Sequence, residues 1–356
     1  MNNLYFPILK WKKGEKIALS NMSEEFKSVV YPILEIVEEV EAVEFVKELN
    51  EFNNIEKIYV DTSIIDEGET RLLEKIISIS KKYDKKIFPV LNYYDLKIKF
   101  SDLKDDIDEM IVKITLPTDF DGDSYKDIFD FIHSISSENK KVRCLLDLGI
   151  ITEKNHANHQ FHLLVNILDN YLSKIDVYNI IVSVTSFPED FSSIPAGEEA
   201  FYERYDIKLY NAIFNKDNLS QSIKNIISYS DYGVTKFTES EIDFSKLRYG
   251  ILPKARYTLE DKYWVLKGKR DNYTKEMIKN HRTLAQDISN SDYFYGEDFS
   301  YGDRDIKERA IGHSLDDETK YVGPGNHTNW VTNAVSHHIA VVARSLSNLY
   351  GSSNDS

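Results

Sequence analysis

The chain has 356 residues, of which 42% are hydrophobic, so it can bury a large core as one α/β domain with an appendage or as two domains. Its 44 basic and 59 acidic residues give a net charge of −15, which argues against sequence-independent binding of duplex nucleic acid. The single cysteine, Cys144, excludes an intramolecular disulfide and a multi-thiolate metal site. Because a signal peptide and a membrane-length apolar run are both missing from the sequence, we expect a cytoplasmic protein without a membrane partner.

Eight apolar runs of strand length recur along residues 5–230, and most are apolar on both faces, as in buried parallel strands. They cover residues 5–10, 29–37, 57–64, 86–91, 110–116, 142–148, 178–184 and 226–230. Between these runs, apolar residues at helical spacing predict helices at 43–52, 70–83, 125–136, 159–172 and 200–214. A short capped helix is predicted at 23–26. Residues 93–103 are short for a full helix.

This alternation predicts an α/β fold, a (β/α)8 barrel, for residues 1–240. An open doubly wound sheet is the competing architecture. The barrel is favoured because no glycine-rich phosphate fingerprint follows the first run, and because a polar residue lies near almost every strand end.

The sequence changes character after residue 240, where we predict a C-terminal α+β extension packed on the barrel. Residues 255–258 and 263–268 read as a hairpin, residues 274–287 as a helix, and residues 330–349 as a closing helix. Residues 293–329 are rich in glycine with little periodicity, which predicts a long loop-rich segment.

The polar residues near the strand ends form the main candidate site, since parallel strands in a barrel present their carboxyl ends on one face. Glu35, Asp61 and Asp147 are candidate catalytic acids and bases. The candidate ligand-binding residues, which include the cations that would neutralise an anion, are Lys10, Lys113, Asp231, Arg256 and His337. The alternative is that these groups only pair with one another and close the barrel mouth. We predict no metal site, and the sequence does not reveal whether a cofactor is bound.

Strand alternation makes a separate prediction, because side chains two residues apart share a face. If Asp147 points into the barrel, Leu145 and Arg143 do so too, and Cys144 faces the helices. Cys144 is then a packing residue and not a nucleophile.

Several short motifs, spread over most of the chain in a fixed order, resemble the phage "beta protein", or Beta, family. They are Tyr5-Phe6-Pro7-Ile8-Leu9-Lys10-Trp11-Lys12, Tyr31-Pro32-Ile33-Leu34-Glu35-Ile36, Leu146-Asp147-Leu148-Gly149, Asp231-Tyr232-Gly233, Ala255-Arg256-Tyr257-Thr258 and His337-His338-Ile339. Lys113 stands where the family is expected to favour arginine, which keeps a cation but weakens the case for bidentate anion binding.

The resemblance implies a role in phage and host conflict, of the antiviral defence type, but it transfers no catalytic residues. We therefore expect a defence component whose barrel mouth binds a small phosphorylated ligand or a nucleic-acid end, with hydrolysis or phosphoryl transfer as the reaction. The alternative is a non-catalytic scaffold that binds a protein partner. The first hypothesis needs acids and cations in one pocket, and the second expects an exposed apolar patch.

Overall fold

A closed barrel of eight parallel strands forms the centre of the computed structural model, which describes residues 4–66, 71–83, 85–116, 124–217, 219–235 and 251–351. The barrel strands are β1 (Tyr5–Lys10), β2 (Ile33–Glu35), β3 (Lys57–Asp61), β4 (Lys86–Asn92), β5 (Glu109–Thr115), β6 (Lys141–Ile150), β7 (Asn179–Thr185) and β9 (Ile227–Asp231). Each pairs with the next in parallel, and β9 closes the barrel on β1. The predicted (β/α)8 barrel is confirmed.

Helices connect these strands. They are α1 (Lys13–Ser20), α2 (Ala42–Asn50), α3 (Ser63–Asp66), α4 (Arg71–Ser80), α5 (Tyr93–Leu103), α6 (Ser124–Ser136), α7 (Lys154–Asn170), α8 (Tyr205–Phe214) and α9 (Gln221–Asn225). Among the described residues, no helix combines the length and the apolar content that crossing a membrane requires. The predicted 23–26 helix is a 3₁₀ turn, Glu24–Phe26, whose Ser23 side chain makes no capping hydrogen bond.

The C-terminal region adds a three-stranded antiparallel sheet in the order β10 (Lys254–Thr258), β11 (Lys262–Lys267) and β8 (Glu199–Glu203). A short pair, β12 (Lys269–Arg270) and β13 (Met277–Lys279), precedes α10 (His281–Ser289), α11 (Tyr301–Ile311) and α12 (His327–Gly351). The hairpin prediction is confirmed, and the closing helix begins three residues earlier than predicted.

Three predictions for this region were wrong. Residues 199–203 form β8 and not the start of a helix, because Phe201 pairs with Trp264 of β11 across the sheet. Residues 277–279 form β13, so the helix predicted from 274 begins only at His281. The loop-rich segment contains α11, whose largely polar sequence hides the periodicity. Its end signals are visible nonetheless, since Ser300 caps it and Gly312 ends it at φ 91°.

The C-terminal sheet is not built from residues 241–356 alone, since β8 lies between β7 and α8 of the barrel. The predicted boundary at residues 240 and 241 lies outside the described residues. Buried polar contacts join the two regions around Asp206, whose Oδ2 accepts hydrogen bonds from the hydroxyls of Tyr229 (2.7 Å) and Tyr263 (2.9 Å). The same oxygen pairs with Arg204 at 3.1 Å, and Arg204 also donates to the Leu259 carbonyl.

The barrel interior follows the predicted alternation. Leu145 packs inside the barrel with Ile111 and Ile181, and Arg143 contacts Tyr59 there. Cys144 is buried in the layer between the barrel and its helices. Burial raises the pKa of its thiol to about 12, so Cys144 stays a protonated packing residue at neutral pH.

The crossing of α11 and α12 leaves no room for a side chain at Gly302. A Cβ atom there would lie 2.2 Å from the Asn333 carbonyl oxygen, which belongs to the backbone of α12. We expect Gly302→Ala to lower the free energy of unfolding by about 1–3 kcal/mol in urea titrations. Gly323→Ala is the control, since its Cβ would meet only a Tyr321 side-chain atom at 3.8 Å. Equal stability of the two variants would contradict this account of the crossing.

Candidate functional site at the carboxyl end of the barrel

Lys113 lies among three carboxylates at the carboxyl end of the barrel. Its Nζ is 3.4 Å from Glu35 Oε1, 3.6 Å from Asp61 Oδ2 and 3.9 Å from Asp147 Oδ2. The four residues come from β5, β2, β3 and β6, and the strand register sets Glu35 directly beside Asp61. The barrel closure therefore brings together the three predicted catalytic acids and one predicted cation.

Burial and charge act on this cluster in opposite directions. Burial disfavours the ammonium of Lys113, but Tyr232 and the surrounding carboxylates hold its pKa well above the ordinary value. Burial raises the pKa of Glu35 above its ordinary value; Lys113 opposes this shift and Asp61 adds to it. Lys113 is therefore charged at neutral pH, and the raised pKa makes protonation of Glu35 easier than in water.

Tyr232 is a member of this cluster that the sequence analysis missed. Its hydroxyl donates a hydrogen bond to Asp147 Oδ2 at 2.5 Å, and its ring lies 5.8 Å from Lys113 Nζ. We expected Asp231 to face the barrel mouth, and strand alternation would then point the side chain of its neighbour Tyr232 out of the barrel. Tyr229 packs outside the barrel, so alternation along the strand would have placed Asp231 outside and Tyr232 inside.

Asp231 faces away from the mouth, contrary to the prediction. It accepts hydrogen bonds from the Tyr5 hydroxyl (2.7 Å) and pairs with His338 Nε2 (2.9 Å). Burial raises the pKa of the Asp231 carboxyl, but His338 and Tyr5 outweigh this effect and the pKa is lowered. Since His338 Nδ1 also lies 2.9 Å from Thr258 Oγ1, Asp231 joins the barrel to α12 and β10.

His337 also lies away from the acids around Lys113. Its Nδ1 is 2.8 Å from Asp303 Oδ2, and its Nε2 is 2.8 Å from the Thr258 carbonyl oxygen. The ring stacks on Tyr257 with centroids 3.8 Å apart. Both ring nitrogens are therefore engaged inside the C-terminal region, and the expectation that His337 reaches the barrel mouth is wrong.

Arg256 lies beside the loops that follow the seventh and eighth barrel strands. It donates a hydrogen bond to the Val234 carbonyl, which follows β9, at 3.0 Å. Its guanidinium lies 5.8 Å from the ring of Phe187 and 5.7 Å from that of Phe191, both of which follow β7. The hairpin thus delivers one predicted cation to this face of the barrel.

Glu15, in α1, is a buried acid beside Arg256 that the sequence analysis missed. Burial raises the pKa of Glu15 to about 7, although Arg256, Lys12 and Lys10 lower it. Burial lowers the pKa of Arg256 to about 10, with Glu15 as the opposing charge. Lys10 lowers the pKa of Glu35 as well as that of Glu15, so its charge acts on both acids.

A second buried ion network closes the opposite end of the barrel. Glu109 pairs with Lys57 and with Arg143, each at 2.9 Å, and it accepts a hydrogen bond from Tyr59. Burial raises the pKa of Glu109, but Arg143, Tyr59 and Lys57 outweigh it and lower the pKa. Within the described ranges, no group of three or more His, Cys, Asp or Glu side chains is arranged to hold a metal ion.

Comparison with known proteins identifies the family. The family model described as Beta protein matches residues 5–344, which is nearly the whole chain, and no curated protein matches the sequence. The chain belongs to the Beta protein family. The resemblance that the sequence motifs indicated is confirmed.

Removing the central ammonium tests the electrostatics of the mouth. We expect Lys113→Met to lower the free energy of unfolding by about 3–5 kcal/mol near neutral pH, because three buried carboxylates then lack their cation. The loss should shrink as pH falls and the carboxylates are protonated. Urea titrations across pH measure this, with the exposed Lys126→Met, which breaks only a surface pair with Asp130, as the control. A loss that does not change with pH would contradict this explanation.

Proposed function

We propose that this Beta-family protein binds a small phosphate-containing ligand at the carboxyl end of its barrel. Arg256 holds the phosphate, and the rest of the ligand lies against the acids around Lys113. The observation that carries the proposal is the position of Arg256 beside the loops after β7 and β9, the seventh and eighth barrel strands. In many barrels the loops after these two strands bind phosphate.

The balance of charge supports an anion at this position. Arg256, Lys12 and Lys10 each lower the pKa of Glu15, whose value of about 7 leaves it only partly ionised at neutral pH. Burial lowers the pKa of Arg256 and Glu15 is the acid that opposes this shift, so a further negative charge would stabilise the charged guanidinium. An oxyanion supplies that charge, and a guanidinium donates to two of its oxygens at once.

The acids around Lys113 support hydrolysis as the reaction. Glu35, with its raised pKa, suits a general acid that protonates the leaving oxygen. Asp147, oriented by the Tyr232 hydroxyl, suits a base for the attacking water, and Asp61 balances the charge of Lys113. Lys113 stabilises negative charge that develops on the reacting group.

The competing hypothesis is a scaffold in which the same acids and Lys113 only close the barrel mouth. A small ligand is favoured over a nucleic-acid end, because the net charge of −15 repels a polyanion. We place this activity in phage and host conflict, as the family resemblance implies.

Ligand-induced stabilisation tests the proposal. Nucleotides, cyclic nucleotides and sugar phosphates are screened by thermal shift, and a ligand at about 100 times its Kd adds about 2.7 kcal/mol of stability. We expect at least one of these compounds to stabilise the wild type and to lose the effect in Arg256→Gln. Arg270→Gln is the matched control, since Arg270 lies on β12 and donates to the Lys275 carbonyl.

Two outcomes contradict the proposal. Stabilisation that survives in Arg256→Gln would place the ligand elsewhere. If no compound stabilises the wild type, and Glu35→Gln and Asp147→Asn are as stable as the wild type, the scaffold hypothesis is favoured.

The ionisation of Glu15 makes anion binding depend on pH. Inorganic sulfate is the probe, because its charge is constant between about pH 6 and about pH 8, where Glu15 titrates. As pH rises across this range Glu15 becomes negative, so we expect the sulfate affinity, measured by calorimetry, to fall by about three- to tenfold. Glu15→Gln should bind sulfate with an affinity that is flat over the same range, whereas Glu24→Gln, an exposed control, should behave as the wild type. The same pH slope in Glu15→Gln would show that another group titrates.

A further inference from the structure

The backbone of β8 forms an open edge of the C-terminal sheet. Hydrogen bonds from Lys267 N to Glu198 O and from Arg204 N to Asp261 O, each 2.9 Å, flank the strand pair. In an antiparallel pair, every second residue hydrogen-bonds to the partner strand. The backbone N–H and C=O groups of Glu199, Phe201 and Glu203 therefore point away from β11. Among the described residues, no backbone group pairs with this edge.

The side chains at these three positions share the sheet face that points away from the barrel, where they read acid, aromatic, acid. Phe201 is 41% exposed although its ring lies parallel to that of Trp264, with centroids 5.9 Å apart. Tyr293, 49% exposed, touches the same ring at 5.5 Å. The edge thus exposes an aromatic surface between two carboxylates, of which Glu199 accepts a hydrogen bond from Trp264 Nε1 and Glu203 pairs with Lys208 of α8.

A groove of about 800 Å³ opens beside this edge, between the sheet and the helices α10 and α11. Its lining includes Glu199, Trp264, Gln286, Tyr293, Lys307 and Ile311. The groove gives room for side chains of a segment lying along β8.

We propose that the β8 edge binds an extended segment of a partner protein in which basic residues flank an apolar one. The outward N–H and C=O groups of β8 hydrogen-bond to the backbone of the added strand. The basic side chains pair across the strands with Glu199 and Glu203, and the apolar side chain covers Phe201. This interface does not involve the barrel mouth.

The charges of β8 argue against a second copy of this chain as the occupant. Two β8 strands paired about a two-fold axis through Phe201 would set Glu199 of each copy opposite Glu203 of the other. Each Glu199 would then meet a Glu203 that already pairs with Lys208, while β8 of the other copy adds acids and no basic residue, and like charges directly opposite are destabilising.

The test uses a fluorescently labelled seven-residue peptide that alternates lysine and valine, titrated against the full chain by anisotropy. We expect saturable binding that weakens at least tenfold in Phe201→Pro. Because the Phe201 N–H points away from β11, proline there removes an edge donor and leaves the β8 to β11 bonds in place. Hydrogen exchange should show new protection at Glu199, Phe201 and Glu203 on binding, and thermal unfolding confirms that the variant is folded.

Matched controls separate the edge from other effects. Val43→Pro places proline at an exposed first-turn position of α2, where it is tolerated, and should bind the peptide as the wild type does. A peptide that alternates glutamate and valine should bind at least tenfold more weakly.

Four results would overturn the proposal. They are equal binding to Phe201→Pro, no saturable binding to the wild type at about millimolar peptide, equal affinity for the glutamate peptide, or a wild-type dimer that dissociates in Phe201→Pro. The last result would assign the edge to a second copy of the chain.

Discussion

Three carboxylates from three strands meet inside the barrel, and the ammonium of Lys113 is what allows them to be buried together. Without a cation among them, Glu35, Asp61 and Asp147 would repel one another in a medium that screens charge poorly. Lys113 of β5 therefore offsets the repulsion between Glu35 and Asp61, which the strand register sets side by side. A buried, acid-rich cluster of this kind is also where proton transfer is easily tuned.

The two ends of the barrel use similar residues for different purposes. At the amino end Glu109 has Lys57, Arg143 and Tyr59 as partners, which satisfies its charge. At the carboxyl end the three acids outnumber the single Lys113, while the neighbouring Arg256, Lys12 and Lys10 each lower the pKa of Glu15. At the carboxyl end, negative charge around Lys113 is thus separated from positive charge that acts on Glu15. A ligand with an anionic group and a polar remainder complements that separation.

The sequence allowed the barrel and most of its inward-facing residues to be predicted, because a period of two along a buried strand is a local signal. Asp231 was misassigned, because an acid at a strand end reads the same whether it faces the mouth or, as here, His338 from α12. Glu15 and β8 were missed for a related reason, since contacts far away in sequence decide their environment. Helix α11 was missed although Ser300 and Gly312 mark its ends, because its sequence is largely polar.

Strand β8 is synthesised well before β11, the strand with which it pairs. Residues 199–203 leave the ribosome before residues 262–267, so β8 has no partner strand in the sheet until β11 has been made. Arg204 and Asp206 likewise wait for Leu259 and Tyr263 to complete their contacts. The eighth barrel strand, β9, is therefore translated before the preceding β8 has its partner strand β11. The sheet that contains β8, and the contacts of Arg204 and Asp206 with Leu259 and Tyr263, can form only after residues 259–267 have been made.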